Sequence, residues 1–332
     1  MIVSVIVPVR RERTAIERFL ASLAAQDLTD LEWEAIVADG MSDDGTRDVL
    51  AAWSGRWPRL RVIDNPGRYV SSGLNAAVRA ARGDVIVRMD AHSEYAPDYL
   101  RQCVAVLEET GAENVGGPAL TRATHWMARA IAAAFHSRFA SGGARFHDPV
   151  YEGQVDTVPY GCWRRSTLER FGLFDESLVR NQDDELNLRI VLGGGRVWQS
   201  PRIRSWYWPR GSLQALFSQY FQYGFWKVAV IRKHGRPASW RQLVPALSVV
   251  LGAVLAAASF FWRGPLALLC GLAGLYVAAA VIASAVSAQR HGWDLFPALP
   301  TVFATYQLAY ALGFLTGLVR AAGPRSQSAY CN

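Results

Sequence analysis

The chain has 332 residues, 51% of them hydrophobic and 19% charged, with a net charge of +7; this suits one large or two ordinary domains and excludes a disordered chain. The average hides a division, since residues 1–185 carry 27 acidic against 21 basic residues, net −6, whereas residues 186–332 carry one, Asp294, against 14, net +13. Four cysteines, Cys103, Cys162, Cys270 and Cys331, show no metal-type pairing and are too few for a disulfide framework.

In chain order, Val3 to Val9 is a β-branched run too short for a buried helix, and Arg10, Arg11 and Arg13 after it reverse the charge order of a signal peptide. Thr14 to Ala25 has helical spacing. Ala35 to Ala38 predicts a strand ending at Asp39, Thr46 to Trp53 a helix, and Leu60 to Ile63 a strand. Ser71 to Ala81 predicts a helix with Ser71 or Ser72 as N-cap, Asp84 to Met89 a strand ending at Asp90, and Pro97 to Glu109 a helix. Such alternation implies an α/β fold with a mainly parallel, Rossmann-like sheet whose ligands bind beyond the carboxyl ends of its strands. Val155 to Pro159 reads as a further strand.

Residues 212–241 read as an amphipathic interfacial region, with aromatics at Phe217, Tyr220, Phe221 and Tyr223 among basic residues. Beyond it lie three charge-free apolar stretches, 243–262, 264–288 and 296–319, each long enough to span a bilayer. The cluster Arg232, Lys233, Arg236 and Arg241 abuts the first, which predicts a multi-pass protein of the inner (plasma) membrane, its first 240 residues cytoplasmic and its C-terminus outside. Arg320 and Arg325 count against that last assignment. Basic residues gathered at a membrane, with two lysines in the whole chain, exclude a nucleic-acid partner.

No G-x-G-x-x-G follows the first strand and no Walker motif occurs. Asp90-Ala91-His92 places a carboxylate and an imidazole two residues apart at a strand end, a pair able to share a divalent cation, Mn²⁺ or Mg²⁺; a strand-ending turn with a capping acid is the alternative. Glu94 is either a support for that pair or a helix N-terminal charge.

Together, Ser4 to Val9 with Glu12, Asp39-Gly40-Met41-Ser42-Asp43-Asp44-Gly45-Thr46, Gly73-Leu74-Asn75 and Asp90-Ala91-His92 resemble the nucleotide-sugar glycosyltransferases of family 2, which have the GT-A fold. Arg88 to His92, Val158 to Arg165, Asn181-Gln182-Asp183 and Gln219 to Gly224 most resemble the membrane-attached, ExoA-type succinoglycan-biosynthesis subgroup. The resemblance implies a GT-A domain over residues 1–211, the interfacial region over 212–241 and a transmembrane domain over 242–332. It implies nucleotide-sugar binding by Pro8, Val9, Glu12, Asp39, Gly73, Asn75 and Asp90, with Asp39 accepting the uracil N–H, and a metal pair of Asp90 and His92. Asp183 aligns with the family's catalytic acid, as the general base of an inverting transfer, with Asp184 as rival and Gln182 where a glutamate usually stands. Gly161, Trp163, Arg164, Gln182, Gln219 and Tyr223 fall at the sugar or acceptor pocket, with core packing the alternative for Trp163.

The implied activity is metal-dependent transfer of a hexose from a UDP-sugar to a lipid-linked (polyprenyl diphosphate) saccharide in exopolysaccharide or cell-surface glycan assembly. A polyprenyl-phosphate sugar synthase is the next reading, and a processive polysaccharide synthase the third.

Overall fold

A computed structural model describes residues 1–28 and 31–321. The chain divides into two compact units, Met1–Arg122 with Arg145–Trp208, and Ala123–Ala144 with the residues from Pro209 onward.

The first unit is α/β. Strands β1 (Ile2–Val9), β2 (Glu32–Asp39), β3 (Leu60–Asp64) and β4 (Val85–Arg88) alternate with helices α1 (Ile16–Ala24), α2 (Thr46–Arg56) and α3 (Val70–Ala80). The period of a strand sends Val3, Val5, Val7 and Val9 into one core with Phe19 and Leu20 of α1, and Ile6 into the opposite core with Leu74 of α3. Both faces of β1 are therefore buried, which is why its sequence is apolar throughout.

After β5 (Ser93–Tyr95), α4 (Tyr99–Thr110), β6 (Asn114–Gly116) and β7 (Leu120–Thr121), the chain passes through the second unit's α5 (Trp126–Phe135) and α6 (Arg138–Ser141). It returns with β8 (Gly153–Gln154), β9 (Cys162–Arg164), α7 (Arg165–Phe171), α8 (Gln182–Leu192), β10 (Val197–Gln199) and β11 (Ser205–Tyr207). Eight strands form one sheet in the order β3-β2-β1-β4-β9-β6-β10-β8, and β5-β11-β7 form a second.

The larger sheet is mixed rather than mainly parallel: β9 runs antiparallel to both neighbours, β4 and β6, and β8 antiparallel to β10. The chain turns into β9 through Tyr160 and Gly161, both at positive φ. A Cβ at Gly161 would overlap the Trp163 ring, so glycine is required there. Residues 155–159, expected as a strand, are irregular and lead into this turn. α3 begins one residue early, with Tyr69 at its N-cap, and Ser71, inside the helix, donates its hydroxyl to the Leu178 carbonyl instead of capping.

The second unit contains α5, α6, α9 (Leu213–His234), α10 (Val244–Ala258), α11 (Arg263–His291) and α12 (Leu299–Ala321). Two of these, α11 and α12, are long and apolar enough to cross a membrane. The first of the three expected spans is α10, whose 15 helical residues are fewer than a crossing needs. α9 and α12 pack backbone to backbone through glycine. A Cβ at Gly224 would strike the Tyr310 carbonyl, one at Gly313 the Phe221 carbonyl, and one at Gly317 the Phe225 carbonyl. Tyr220 packs edge-on against Tyr306, and further along both helices Val228 meets Gly317, so the two helices run parallel. Arg325 and Cys331 lie outside the described residues.

Candidate active site

Strands β1, β2 and β3 end at Val9, Asp39 and Asp64 along one edge of the sheet, and β4 ends two residues before Asp90. The residues after β1 and after β2 are joined there. Backbone N–H groups of Arg11, Glu12 and Arg13 donate to Ser42, Thr46 and Asp44 at 2.8, 3.0 and 3.1 Å. This fixes Glu12 and the 39–46 loop together. Asp39 is fully buried; its Oδ2 accepts from the Ser42 N–H and lies 3.2 Å from Arg47, while its Oδ1 has no hydrogen-bond partner among the described residues.

Asp90 is gripped from behind by the side chain two residues earlier. Arg88 donates through Nε and Nη2 to both carboxylate oxygens, at 3.2 and 3.1 Å, and its Nη1 lies 3.9 Å from Oδ2 of Asp183. Arg88 is buried. Burial works against its charge, but the carboxylates of Asp90 and Asp183 outweigh that cost and hold the guanidinium more firmly protonated than usual. Asp183 stands in the first turn of α8, after Asn181 in the left-handed region. Burial and the neighbouring Asp184 push its pKa up, against the pull of Arg88.

Behind Asp90 sits a phenolic shell. Its backbone N–H donates to the Tyr95 hydroxyl at 2.6 Å, and Tyr160 shares a 2.6 Å hydrogen bond with Ser93. Burial raises both phenol pKa values, so both remain protonated. In front, the half-exposed His92 ring brings Nδ1 to 3.6 Å from Oε1 of Glu12. Glu12, expected at the nucleoside, therefore lies beside the D-x-H pair. Among the described residues no three His, Cys, Asp or Glu side chains form a metal-holding group. A cation here would take Asp90 and His92, a carboxylate–imidazole pair suited to Mn²⁺, and complete its shell with diphosphate oxygens or water.

The remaining expected site residues separate. Pro8, Val9 and Gly161 are at this edge, Gly161 accepting from the Arg88 N–H at 3.0 Å. Gln182 is buried at the start of α8, its amide oxygen without a hydrogen-bond partner among the described residues. Gly73 packs against Asn65, and Asn75 braces α3 to the 174–176 segment, bonding the Phe174 backbone twice and Glu176 once. Trp163 is a core residue, 1% exposed and edge-on to Phe174, because the alternation of β9 points it inward. Arg164 pairs with Val85 at the far end of β4 and donates to the Leu107 carbonyl, away from the site edge. Glu94 is in β5, not at a helix start, and pairs with Arg122, which stacks on Trp206. Gln219 and Tyr223 bond each other along α9 in the second unit. Sequence reasoning gave no role to Arg88, Ser93, Tyr95 or Tyr160; the only signal was the i, i+2 spacing of Arg88 and Asp90, which places both on one side of an extended segment.

Comparisons with known proteins bear on this arrangement. The family description Glycosyl transferase family 2 matches residues 4–151. The succinoglycan biosynthesis protein ExoA of Rhizobium meliloti is 31% identical over 256 residues, covering 76% of this chain and 77% of ExoA. The chain belongs to glycosyltransferase family 2. A second likeness runs nearly end to end: a Methanococcus voltae dolichyl N-acetyl-alpha-D-glucosaminyl phosphate 3-beta-D-2,3-diacetamido-2,3-dideoxy-beta-D-glucuronosyltransferase is 24% identical, covering 96% of this chain and 97% of that protein. The fold is shared with a Pyrobaculum calidifontis mannosyltransferase in complex with GDP-Man and Mn²⁺, at a TM-score of 0.66 and 22% identity, covering 94% and 86% of the two chains. This family 2 chain is thus an enzyme of GT-A-like fold with C-terminal helices, and its motifs at Asp39 and Asp90 fall within the matched residues.

Proposed function

We propose that the protein is a membrane-attached inverting hexosyltransferase that uses a UDP-sugar donor and a lipid-linked saccharide acceptor. The observation that carries the reading is the Arg88 bridge, which sets the Asp183 carboxylate beside the anchored Asp90. On this reading, the buried Oδ1 of Asp39 accepts the N–H of the uracil ring. Asp90 and His92 hold a divalent cation, Mn²⁺ by the chemistry of the pair, which when bound neutralises the leaving diphosphate. Asp183 takes the proton from the acceptor hydroxyl as that oxygen attacks the anomeric carbon from the side opposite the nucleotide. Arg88 keeps this carboxylate ionised in a setting that raises its pKa. Asp183 rather than Asp184 is assigned the role because Arg88 faces it.

The lipid acceptor is supported by the dolichyl-phosphate-linked saccharide in the name of the Methanococcus voltae relative and by α11 and α12, both long enough for a bilayer. The ExoA likeness supports a place in exopolysaccharide assembly. The test is incubation of the purified protein with UDP-sugars, Mn²⁺ and polyprenyl-diphosphate-linked sugar. Transfer to the lipid-linked saccharide is expected, and its absence with every common donor overturns the proposal. Transfer to bare polyprenyl phosphate that survives Asp183→Asn identifies a polyprenyl-phosphate sugar synthase instead, because a phosphate nucleophile needs no base.

A further inference from the structure

Length and composition place α11 and α12 in one class; their surroundings do not. Only 6% of the apolar stretch of α11 is covered by the rest of the protein, against 44% for α12. Gly271 and Gly274 of α11 and Gly252 of α10 have open space where a side chain would be. α10 and α11 are joined by Phe260, Phe261 and Trp262, exposed at 88, 77 and 67%, followed directly by Arg263. Aromatic residues beside a terminal arginine are what a helical hairpin carries where it reaches a bilayer boundary.

α12 is instead tied to groups that need water. Its Tyr306 hydroxyl donates to the Ile131 carbonyl at 3.1 Å, and its Gln307 amide to the Phe139 carbonyl at 2.9 Å. Ile131 lies within α5 and Phe139 within α6, and between these helices the chain leaves helical form at His136 and Ser137, backbone of a kind that is not tolerated against lipid. At its foot lies the exposed Arg129–Asp294 ion pair, 2.8 Å long. Along its side, the glycine seam locks it parallel to α9, which carries Gln219, Gln222, Lys227, Arg232, Lys233 and His234. Were α12 to cross the hydrocarbon, α9 would be drawn in with it, and its charged side chains would be costly there.

We propose that the α10–α11 hairpin is the only described part of the chain that enters the bilayer hydrocarbon, while α12 remains with α9 in the headgroup layer on the side of the catalytic unit. This rests on the membrane attachment proposed above. A hairpin that enters and leaves by one face of the bilayer leaves Arg320 on the same side as Met1. Arg232, Lys233, Arg236, Arg241, Arg290 and Arg320 then all face one leaflet, where they complement anionic headgroups, and Arg263 alone lies at the hairpin tip.

The experiment uses the full chain in bacterial cells, fused at its C-terminus either to green fluorescent protein, which fluoresces in the cytoplasm, or to alkaline phosphatase, active only outside. A fluorescent first fusion and an inactive second are expected; the reverse pair of results overturns the inference. Carbonate-washed membranes give the second readout. Val254→Lys with Leu275→Lys in the hairpin is expected to release most of the protein, and Leu308→Lys with Leu312→Lys on the exposed side of α12 to leave it bound. The opposite pattern overturns the inference alone. Release of the unmodified protein, including as a soluble dimer covering α11, overturns the membrane reading and this inference with it.

Discussion

Arg88 and Asp183 approach to 3.9 Å although they stand on a strand and a helix far apart in sequence, and the same guanidinium holds both oxygens of Asp90. One buried cation thus serves two carboxylates with different assignments, and each assignment can be broken separately.

Asp183→Asn is expected to lower the transfer rate by about 10²–10⁴-fold, the worth of a positioned base, while UDP still binds. Titration calorimetry with UDP alongside product formation checks this; wild-type turnover removes the base assignment.

The same substitution is expected to stabilise the protein. A carboxyl whose folded pKa is raised contributes stability below its unfolded value, about 3.9, and loses it as pH rises through the folded value. At pH 7 the ionised Asp183 is therefore a net cost that asparagine relieves. A higher melting temperature is expected at pH 7, with the gain fading toward pH 4. An equal gain at both values refutes the linkage.

Arg88→Met leaves Asp90 without its fork and Asp183 without its opposing charge. Removing one member of a buried ion pair costs about 3–5 kcal/mol, and the acid limb of the pH–rate profile should move to higher pH because the Arg88 charge no longer offsets the burial of Asp183 and its neighbour Asp184. Arg88→Lys should keep the position of that limb but lose rate, since an ammonium cannot grip both oxygens of Asp90.

His92→Ala is expected to weaken apparent Mn²⁺ affinity by at least about 10-fold, since even an outer-shell partner is worth that much, and His92→Asp to restore much of it by recreating a paired carboxylate. Activity titrated against Mn²⁺ after chelation measures both. An unchanged midpoint in the alanine variant takes His92 out of the metal site.

How much of this was legible in the sequence depends on the length of each element. β1 through β4 and α4 were readable because their apolar runs and helical periods are long enough to register, and their ends shifted by only a few residues, whereas the three-residue β5 between them was not. β8, β9 and β10 have two or three residues each and carry no period, so the mixed character of the sheet was hidden and 155–159 read as a strand. Asp39, Asp90, His92 and Asp183 stood out because motifs hold them at fixed spacing. Arg88 did not, because its meaning depends on a partner brought near only by the fold. Trp163 shows a different limit, since an aromatic residue beside a glycine turn reads equally well as pocket or core. In α10 to α12, composition records apolarity without recording whether protein or lipid covers it.

The reversed direction of β9 has an evolutionary consequence. Its start, at Tyr160 and Gly161, meets the edge where β1 and β2 end; its exit into α7 lies at the opposite edge, where Arg165 clamps the carbonyls of Val78, Ala81 and Gly83. Changes where the chain enters β9 are thus felt at the site edge, and changes at its exit are felt in the frame. Diversification of what this scaffold recognises should accordingly concentrate at Pro159 and Tyr160, beside the site edge, and spare the Arg165 clamp.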